Sequence, residues 1–223
     1  MALERELKFT SPDGHVPALA EIRSALAAVG ADATELDPVT HVDVYFDDEA
    51  LSVQAAGMAL RVRSSDGSRL ATLKSRGSVM QGVHERDELE VPLPEDTGGR
   101  PQPWPPEFQP HLPGVDLSRL EPRMIITTER HRFTVLEEGA PIAELAFDEV
   151  TAQPAAEVAL RYAIDEVGFH EVELEALAAG GRAAVSADQL ARYGDALQDL
   201  VALYPSDISK LERAATLLAA FAE

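Results

Sequence analysis

Leu3-Glu4-Arg5-Glu6-Leu7-Lys8-Phe9 opens the chain with a two-residue alternation. On a strand, Glu4, Glu6 and Lys8 share one face, while Leu3, Leu7 and Phe9 share the other with Arg5. The same alternation returns along the sequence. His41, Asp43, Tyr45 and Asp47 oppose Val42, Val44 and Phe46. Arg61 and Arg63 oppose Leu60 and Val62; Thr72, Lys74 and Arg76 oppose Ala71 and Leu73. Arg86, Glu88 and Glu90 oppose Leu89 and Val91, and Arg130 and Arg132 oppose His131 and Phe133. Glu144 and Asp148 oppose Leu145 and Phe147, and Glu171, Glu173 and Glu175 oppose Val172 and Leu174. These segments predict eight strands.

A solvated outer face explains any one of these strands. It explains eight poorly, because the polar faces are mostly ionic and carry few Ser, Thr or Gln residues. Eight antiparallel strands can close into a barrel. The expected fold is therefore α+β: an eight-stranded antiparallel closed β-barrel, a tunnel, with helices packed outside. Leu19, Ile22, Leu26 and Val29 mark one helix. Ser186 and Gln189 have capping-box spacing ahead of Leu190, Tyr193, Leu197 and Leu200, with Pro205 expected to end that helix. Ser206 is the expected cap of a last helix bearing Leu211, Ala214, Leu218 and Phe221. Ser65-Asp66-Gly67-Ser68 and Glu137-Glu138-Gly139 read as hairpin turns. Residues 151–168 fit either a helix or an irregular connection. The segment 92–122 holds nine of the fifteen prolines and the one tryptophan, Trp104. We read it as a loop within a single domain spanning 1–223, with Trp104 as its apolar anchor.

Charges facing a lumen are tolerable only when ions or ligand compensate them. The Arg-x-Arg and Lys-x-Arg pairs suit phosphate oxygens, and gathered carboxylates suit Mg²⁺ or Mn²⁺ over Zn²⁺. A metal-bound polyphosphate fits both sets. The whole chain carries 39 acidic against 19 basic residues, a net charge of −20, which argues against nucleic-acid binding. The lumen faces are instead near charge balance. There is no cysteine, hence no thiolate chemistry. No apolar run is long enough to span a bilayer, and the charged start lacks a signal-peptide pattern, so a cytoplasmic protein with no membrane partner is expected. The sequence leaves homodimerisation open.

In sequence order the chain resembles the CYTH superfamily, the triphosphate tunnel metalloenzymes. The resemblance rests on Glu4-Arg5-Glu6-Leu7-Lys8, Tyr45-Phe46-Asp47, Gly57-Met58-Ala59-Leu60-Arg61-Val62-Arg63, Lys74, Arg86-x-Glu88-x-Glu90 and Arg130-x-Arg132. Glu144 with Asp148, Glu171-Val172-Glu173-Leu174-Glu175 and Ser209-Lys210 complete it. The family pattern implies divalent-metal-dependent chemistry on a small-molecule triphosphate. By resemblance, Glu4, Glu6 and Glu173 are ligands of a catalytic metal, and Glu88, Glu90 and Asp148 hold a second metal or orient the basic residues; Glu171 and Glu175, gathered beside Glu173, are further candidate metal carboxylates. Lys8, Arg61, Arg63, Lys74, Arg86, Arg130, Arg132 and Lys210 are the expected phosphate cradle. Lys8, Glu90 and Asp148 are candidates to handle the proton of an attacking water. Arg76 matches the pattern less well, and structural pairing explains it equally. Hydrolysis of inorganic tripolyphosphate is the leading expectation. Adenylate cyclase, thiamine triphosphatase and a non-catalytic polyphosphate or nucleotide sensor are the alternatives.

Overall fold

The computed structural model describes residues 1–80, 82–94, 100–156, 158–159, 164–179, 182–183 and 185–220. Eight strands build the body: β1 (Ala2–Thr10), β2 (Ala31–Asp47), β3 (Met58–Ser65), β4 (Ser68–Ser75), β5 (Val83–Leu93), β6 (Glu121–Glu137), β7 (Ala140–Pro154) and β8 (Val167–Ala176). Their order is β1-β8-β7-β6-β2-β3-β4-β5, every pairing antiparallel. β1 pairs with β8 through Glu6–Thr10 and with β5 through Ala2–Leu7, and this double pairing closes the barrel. Closure leaves no open edge between β1 and β5 and fixes an inside and an outside for every alternating residue.

The tight turns follow from backbone chemistry. β3–β4 and β6–β7 are hairpins whose turns place Asp66-Gly67 and Glu138-Gly139 at positive φ. That is the two-residue conformation whose twist matches the flanking strands. β2 and β6 are much longer than the alternation predicts, running in register from Ala31↔Glu137 to Asp47↔Glu121. The register shifts between Leu36 and Val39. Pro38 lies there and cannot donate to the ladder, so the strand bulges and continues.

Three apolar patches cover the outside. Helices α1 (Leu19–Ala27) and α3 (Ala187–Gln198) bring Ile22, Leu26, Leu190, Tyr193 and Leu197 onto Leu7, Phe9, Phe133, Phe147 and Leu174. Each such side chain, fully buried, stabilises by about 1.5–3 kcal/mol. The predicted capping box of α3 is present: Ser186 Oγ accepts from Gln189 N at 3.2 Å, and Gln189 Oε1 accepts from Ser186 N at 3.1 Å. Helix α4 (Lys210–Ala220) lays Ala214 and Leu218 on Met124, Ile126, Val150 and Ala152. The proline-rich segment supplies the third cover. It folds into two short 3₁₀ turns, Pro106–His111 and Leu117–Arg119, and packs Trp104, Phe108, Leu112 and Leu120 on Phe46, Leu60, Val62 and Leu73. Trp104 meets Phe46 edge-on with centroids 5.1 Å apart, which fits its expected role as an anchor.

Several local expectations are corrected. α3 ends at Gln198, well before Pro205; Tyr204–Pro205 instead pairs with Phe9–Thr10 of β1. The last helix is capped by Ser209, not Ser206. Ser209 Oγ accepts from Glu212 N at 3.2 Å, and Glu212 Oε2 accepts from Ser209 N at 2.8 Å, a capping box that Ser206 has no Glu or Gln to complete. Ser206 Oγ accepts from Arg213 at 2.6 Å instead. Of the ambiguous stretch 151–168, β7 takes residues through Pro154 and β8 begins at Val167. Residues 157 and 160–163, like Phe221 and residues 95–99, lie outside the described set. A helix Ser52–Ala55 (α2), unforeseen, follows β2; both carboxylate oxygens of Asp47 accept from its amides, Val53 N at 2.9 Å and Gln54 N at 3.0 Å. Among the described residues no helix is long and apolar enough to cross a membrane.

Candidate active site

The inward faces enclose a cavity of about 720 Å³, within the range of small-molecule sites. Its lining includes Glu4, Glu6 and Lys8 of β1, Arg61 and Arg63 of β3, and Lys74 of β4. Arg86, Glu88 and Glu90 of β5, Arg130 of β6, and Glu173 and Glu175 of β8 also line it. Helix α4 (Lys210–Ala220) starts at its rim, so Lys210 enters the same space from outside the barrel. The strand alternation therefore brings most of the expected residues together in one chamber.

The cations are held by carboxylates in a set order. Asp43 accepts from Arg63 Nε and Nη2, both at 2.8 Å, and from Arg61 Nη1 at 3.3 Å. Burial would raise the Asp43 carboxyl, but the Arg61 and Arg63 charges override it and hold it well below the usual carboxylate range. Lys74 bridges Glu4 at 2.7 Å and Glu88 at 2.9 Å. Arg86 donates to Glu4 at 2.5 Å and to Glu6 at 2.7 Å, and Lys8 lies 3.2 Å from Glu6. For Glu4 too, burial pushes the carboxyl up, and Lys74 with Arg86 bring it well down. These are fork-like, charge-assisted bonds that fix the cations before any ligand arrives.

A second network closes the lumen's far wall. Arg130 donates to Asp148 at 2.8 and 2.7 Å and to Glu173. Lys210 Nζ lies 2.5 Å from Glu173, 3.0 Å from Asp148 and 3.1 Å from Glu171. Burial disfavours the Lys210 charge, yet those three carboxylates hold it well above the usual lysine value. Glu173 is pulled well below its ordinary value by Lys210, Arg130 and Lys8, against the effect of burial.

Not every expected residue reaches the chamber. Arg132 is set apart: it donates to the Asp37 carbonyl at 3.3 and 3.0 Å, and Glu144 lies beside it at 3.9 Å. Asp148 and Glu171 face a separate pocket of about 180 Å³, behind the main cavity. Both oxygens of Asp148 accept from Arg130, and Lys210 lies 3.0 Å from one of them, so it acts here as a counter-ion. Of the carboxylates that strands bring into the chamber, Glu90 and Glu175 make no ion pair with a described residue; nor do Asp207 and Glu212 around the start of α4. Burial, then the Glu88 charge, raise Glu90. Burial, then Glu4 and Glu6, push Glu175 up to about 8. Asp43, which organises two arginines, carries no motif signal of its own; only its place on the lumen face, directly across from Arg63, could have marked it.

Whether a divalent cation suits the chamber turns on Glu175. It is a half-buried carboxylate beside two others, Lys74 offsets their charge only in part, and it makes no ion pair with a described residue. The donors are all hard oxygens, as Mg²⁺ or Mn²⁺ prefer. Among the described residues no three acidic or histidine side chains yet converge as a metal cluster. Ligation by Glu4 and Glu6 would exchange their bonds to Lys74, Arg86 and Lys8 for bonds to the ion. With that exchange, the donor chemistry fits.

The CYTH domain pattern matches residues 2–214, the strands and the start of α4 included. The chain belongs to the CYTH family. Two solved structures show the same fold. A Hippeastrum protein, HpAC1, described as an adenylyl cyclase candidate with a dominant triphosphatase activity, is 16% identical with a TM-score of 0.58. The match covers 96% of this chain and 95% of that one. The PH1819 protein from Pyrococcus horikoshii OT3 is 17% identical with a TM-score of 0.54, covering 95% and 99%. In this CYTH chain the tunnel wall is lined by ion pairs that together draw on all the strands named above.

Proposed function

We propose that the chain hydrolyses a triphosphate in the barrel lumen, with inorganic tripolyphosphate as its preferred substrate and Mg²⁺ or Mn²⁺ as its cofactor. The observation that carries this reading is the enclosed chamber in which Arg61, Arg63, Lys74, Arg86, Arg130 and Lys210 are each pre-aligned by carboxylates. A chain of phosphates presents many oxygens to such a cradle. The lining has one phenol ring, Tyr45, and little other aromatic surface to stack a nucleobase or a thiazolium.

Glu4, Glu6, Glu173 and Glu175 are the residues that would hold the cation. When bound, it would offset phosphate charge and polarise a phosphoryl oxygen. The chain's residues do the rest. Lys74 and Arg86 bind the phosphate oxygens, and Arg61 and Arg63 orient the chain along the tunnel. Water attacks the terminal phosphorus in line, the bridging P–O bond breaks, and diphosphate leaves. Glu90, whose carboxylate is free of ion pairs, accepts the proton of that water; its raised proton affinity suits the task. Fixed cations around the departing oxygens stabilise the charge that develops on them.

Phosphate release from tripolyphosphate, ATP and thiamine triphosphate, each with Mg²⁺ and with Mn²⁺, tests this. Tripolyphosphate is expected to give the highest kcat/KM. An equal or higher value for ATP would overturn the substrate assignment, and cyclic AMP formed from ATP would assign the site to a cyclase instead.

A further inference from the structure

Of the basic residues that line the chamber, seven have a carboxylate within ion-pair distance: Lys8, Arg130 and Lys210, the Arg61–Arg63 pair, and Lys74 with Arg86. Arg76 is the exception. It lines the rim, its side chain is exposed, and it makes no ion pair or side-chain hydrogen bond with a described residue. The sequence allowed a structural pairing for it; the structure does not supply one.

The backbone around Arg76, by contrast, is tightly fixed. Its N–H donates to the Gly57 carbonyl at 2.8 Å. Ser75 Oγ accepts from Asp87 N at 3.0 Å. Gly77 has φ +67°, and a Cβ there would collide with the Glu85 carbonyl and lie 2.6 Å from Arg86 Cβ. Only glycine fits, so the turn is pressed onto β5. A rigid backbone thus carries a guanidinium with no local structural task. Across the rim, burial would raise the Glu212 carboxyl; the Ser209 bonds and the Arg76 charge lower it, but Glu212 makes no ion pair with Arg76. Its Oε2 accepts from the Ser209 N–H and hydroxyl at 2.8 Å each.

Position gives the arginine a meaning. Thr72, Lys74 and Arg76 continue one row, and two residues along a strand advance it by roughly 6.6 Å. Arg76 therefore stands one step further along the wall than Lys74, just past the end of β4. The protein's net charge of −20 repels an approaching polyanion, and among the described basic residues that line the chamber Arg76 is the one that meets it without an ion pair.

We propose that Arg76 forms an outer phosphate subsite that recognises the trailing end of linear polyphosphates longer than three phosphates. This rests on the triphosphatase reading of the chamber and extends its substrate class. The inner cations would hold the end that reacts, and Arg76 would hold the end that protrudes.

The test compares wild type, Arg76→Ala and Arg76→Lys on tripolyphosphate and tetrapolyphosphate. KM is read from turnover with Mg²⁺, and Kd by calorimetry without divalent cation. The expected result is a rise of about fivefold in the tetrapolyphosphate-to-tripolyphosphate ratio for Arg76→Ala, as one partly exposed ionic contact provides. Arg76→Lys is expected to recover part of it. An unchanged ratio in both KM and Kd would overturn the subsite and show a merely solvated arginine. If wild type turns over neither compound, the triphosphatase reading fails, and the Kd ratio alone decides the role of Arg76.

Discussion

Glu6 and Glu175 stand directly opposite each other on β1 and β8. Like charges in that relation repel. Glu6 is compensated by Arg86 and Lys8, whereas Glu175 has no ion pair with a described residue and is pushed up to about 8, first by burial and then by Glu4 and Glu6, with Lys74 opposing only in part. Between its ordinary value of 4.5 and about 8 the folded chain therefore holds a proton that the unfolded chain has lost. Stability falls as pH rises through that window, in the absence of metal. Glu175→Gln is expected to raise the Tm of the metal-free protein at pH 8.5 by about 2–6 °C and to do little at pH 4.5. It should also shrink the Tm rise produced by Mg²⁺ or Mn²⁺. Thermal melts with and without each metal check this; identical melts at pH 8.5 would remove Glu175 from the cation site.

Asp43 is the keystone of the β2–β3 wall, because one carboxylate orders both Arg61 and Arg63. Asp43→Asn leaves Arg63 confined without a counter-charge and Arg61 with only Glu88, 3.9 Å away. The expected destabilisation is about 3–5 kcal/mol, the range for breaking a buried ion pair from one side. Tripolyphosphate can replace the missing charge, so it should stabilise the variant more than wild type. Urea titrations with and without tripolyphosphate measure both effects. A variant with wild-type stability would mean the arginines find water or another partner unaided.

The legible part of this molecule was what alternation encodes. Arg61, Arg63, Lys74 and Arg86 sit inside because their odd or even position on a closed sheet leaves no other side. Strand ends were less legible. Ala31–Asp37 has a single β-branched residue, Thr34, and it becomes strand because Leu136, Val135 and Phe133 lie across from it. Ser206 and Ser209 illustrate a choice made by side-chain reach: both can cap, and only Ser209 has a glutamate three residues on. Arg132 shares the period of Arg130 and still misses the chamber, since periodicity fixes a face and not a depth along the barrel. Which carboxylate holds which cation was invisible, because register across strands distant in sequence decides it.

His41 gives an acid-side prediction of opposite sign to Glu175. Burial, then the charges of Arg63 and Arg130, lower its imidazole from 6.5 to about 4, and Nδ1 has no partner. As pH falls from 6.5 toward 4, the unfolded chain takes up a proton that the folded chain refuses, so stability is lost across that window. His41→Gln removes this contribution. It should flatten the fall in urea midpoint between pH 7 and pH 4.5 by the equivalent of about 1 kcal/mol, after discounting for solvent screening of a half-buried ring. An equally steep fall in the variant would assign the acid sensitivity elsewhere.

Gly194 links the outer helix to the lumen. It lies within α3, where alanine is favoured over glycine by about 0.8–1 kcal/mol. Yet a Cβ there would lie 2.5 Å from Leu7 Cδ1 and 3.2 Å from Phe9 Cζ. Neither neighbour can swing aside, since both are buried among Val172, Leu174 and Tyr193. Overpacking of this kind costs about 1–3 kcal/mol and outweighs the propensity gain. Leu7 also sits between Glu6 and Lys8 on β1, so pressure on it should disturb the phosphate chamber as well as the core. Gly194→Ala is expected to lower Tm by about 2–6 °C and to reduce kcat/KM for tripolyphosphate. Leu7→Val, which shortens the obstructing side chain, should recover part of both losses when combined with it. A double-mutant cycle reads this coupling directly. Strict additivity of the two changes would mean that α3 yields to the new methyl group as a rigid body and that the chamber does not feel the helix.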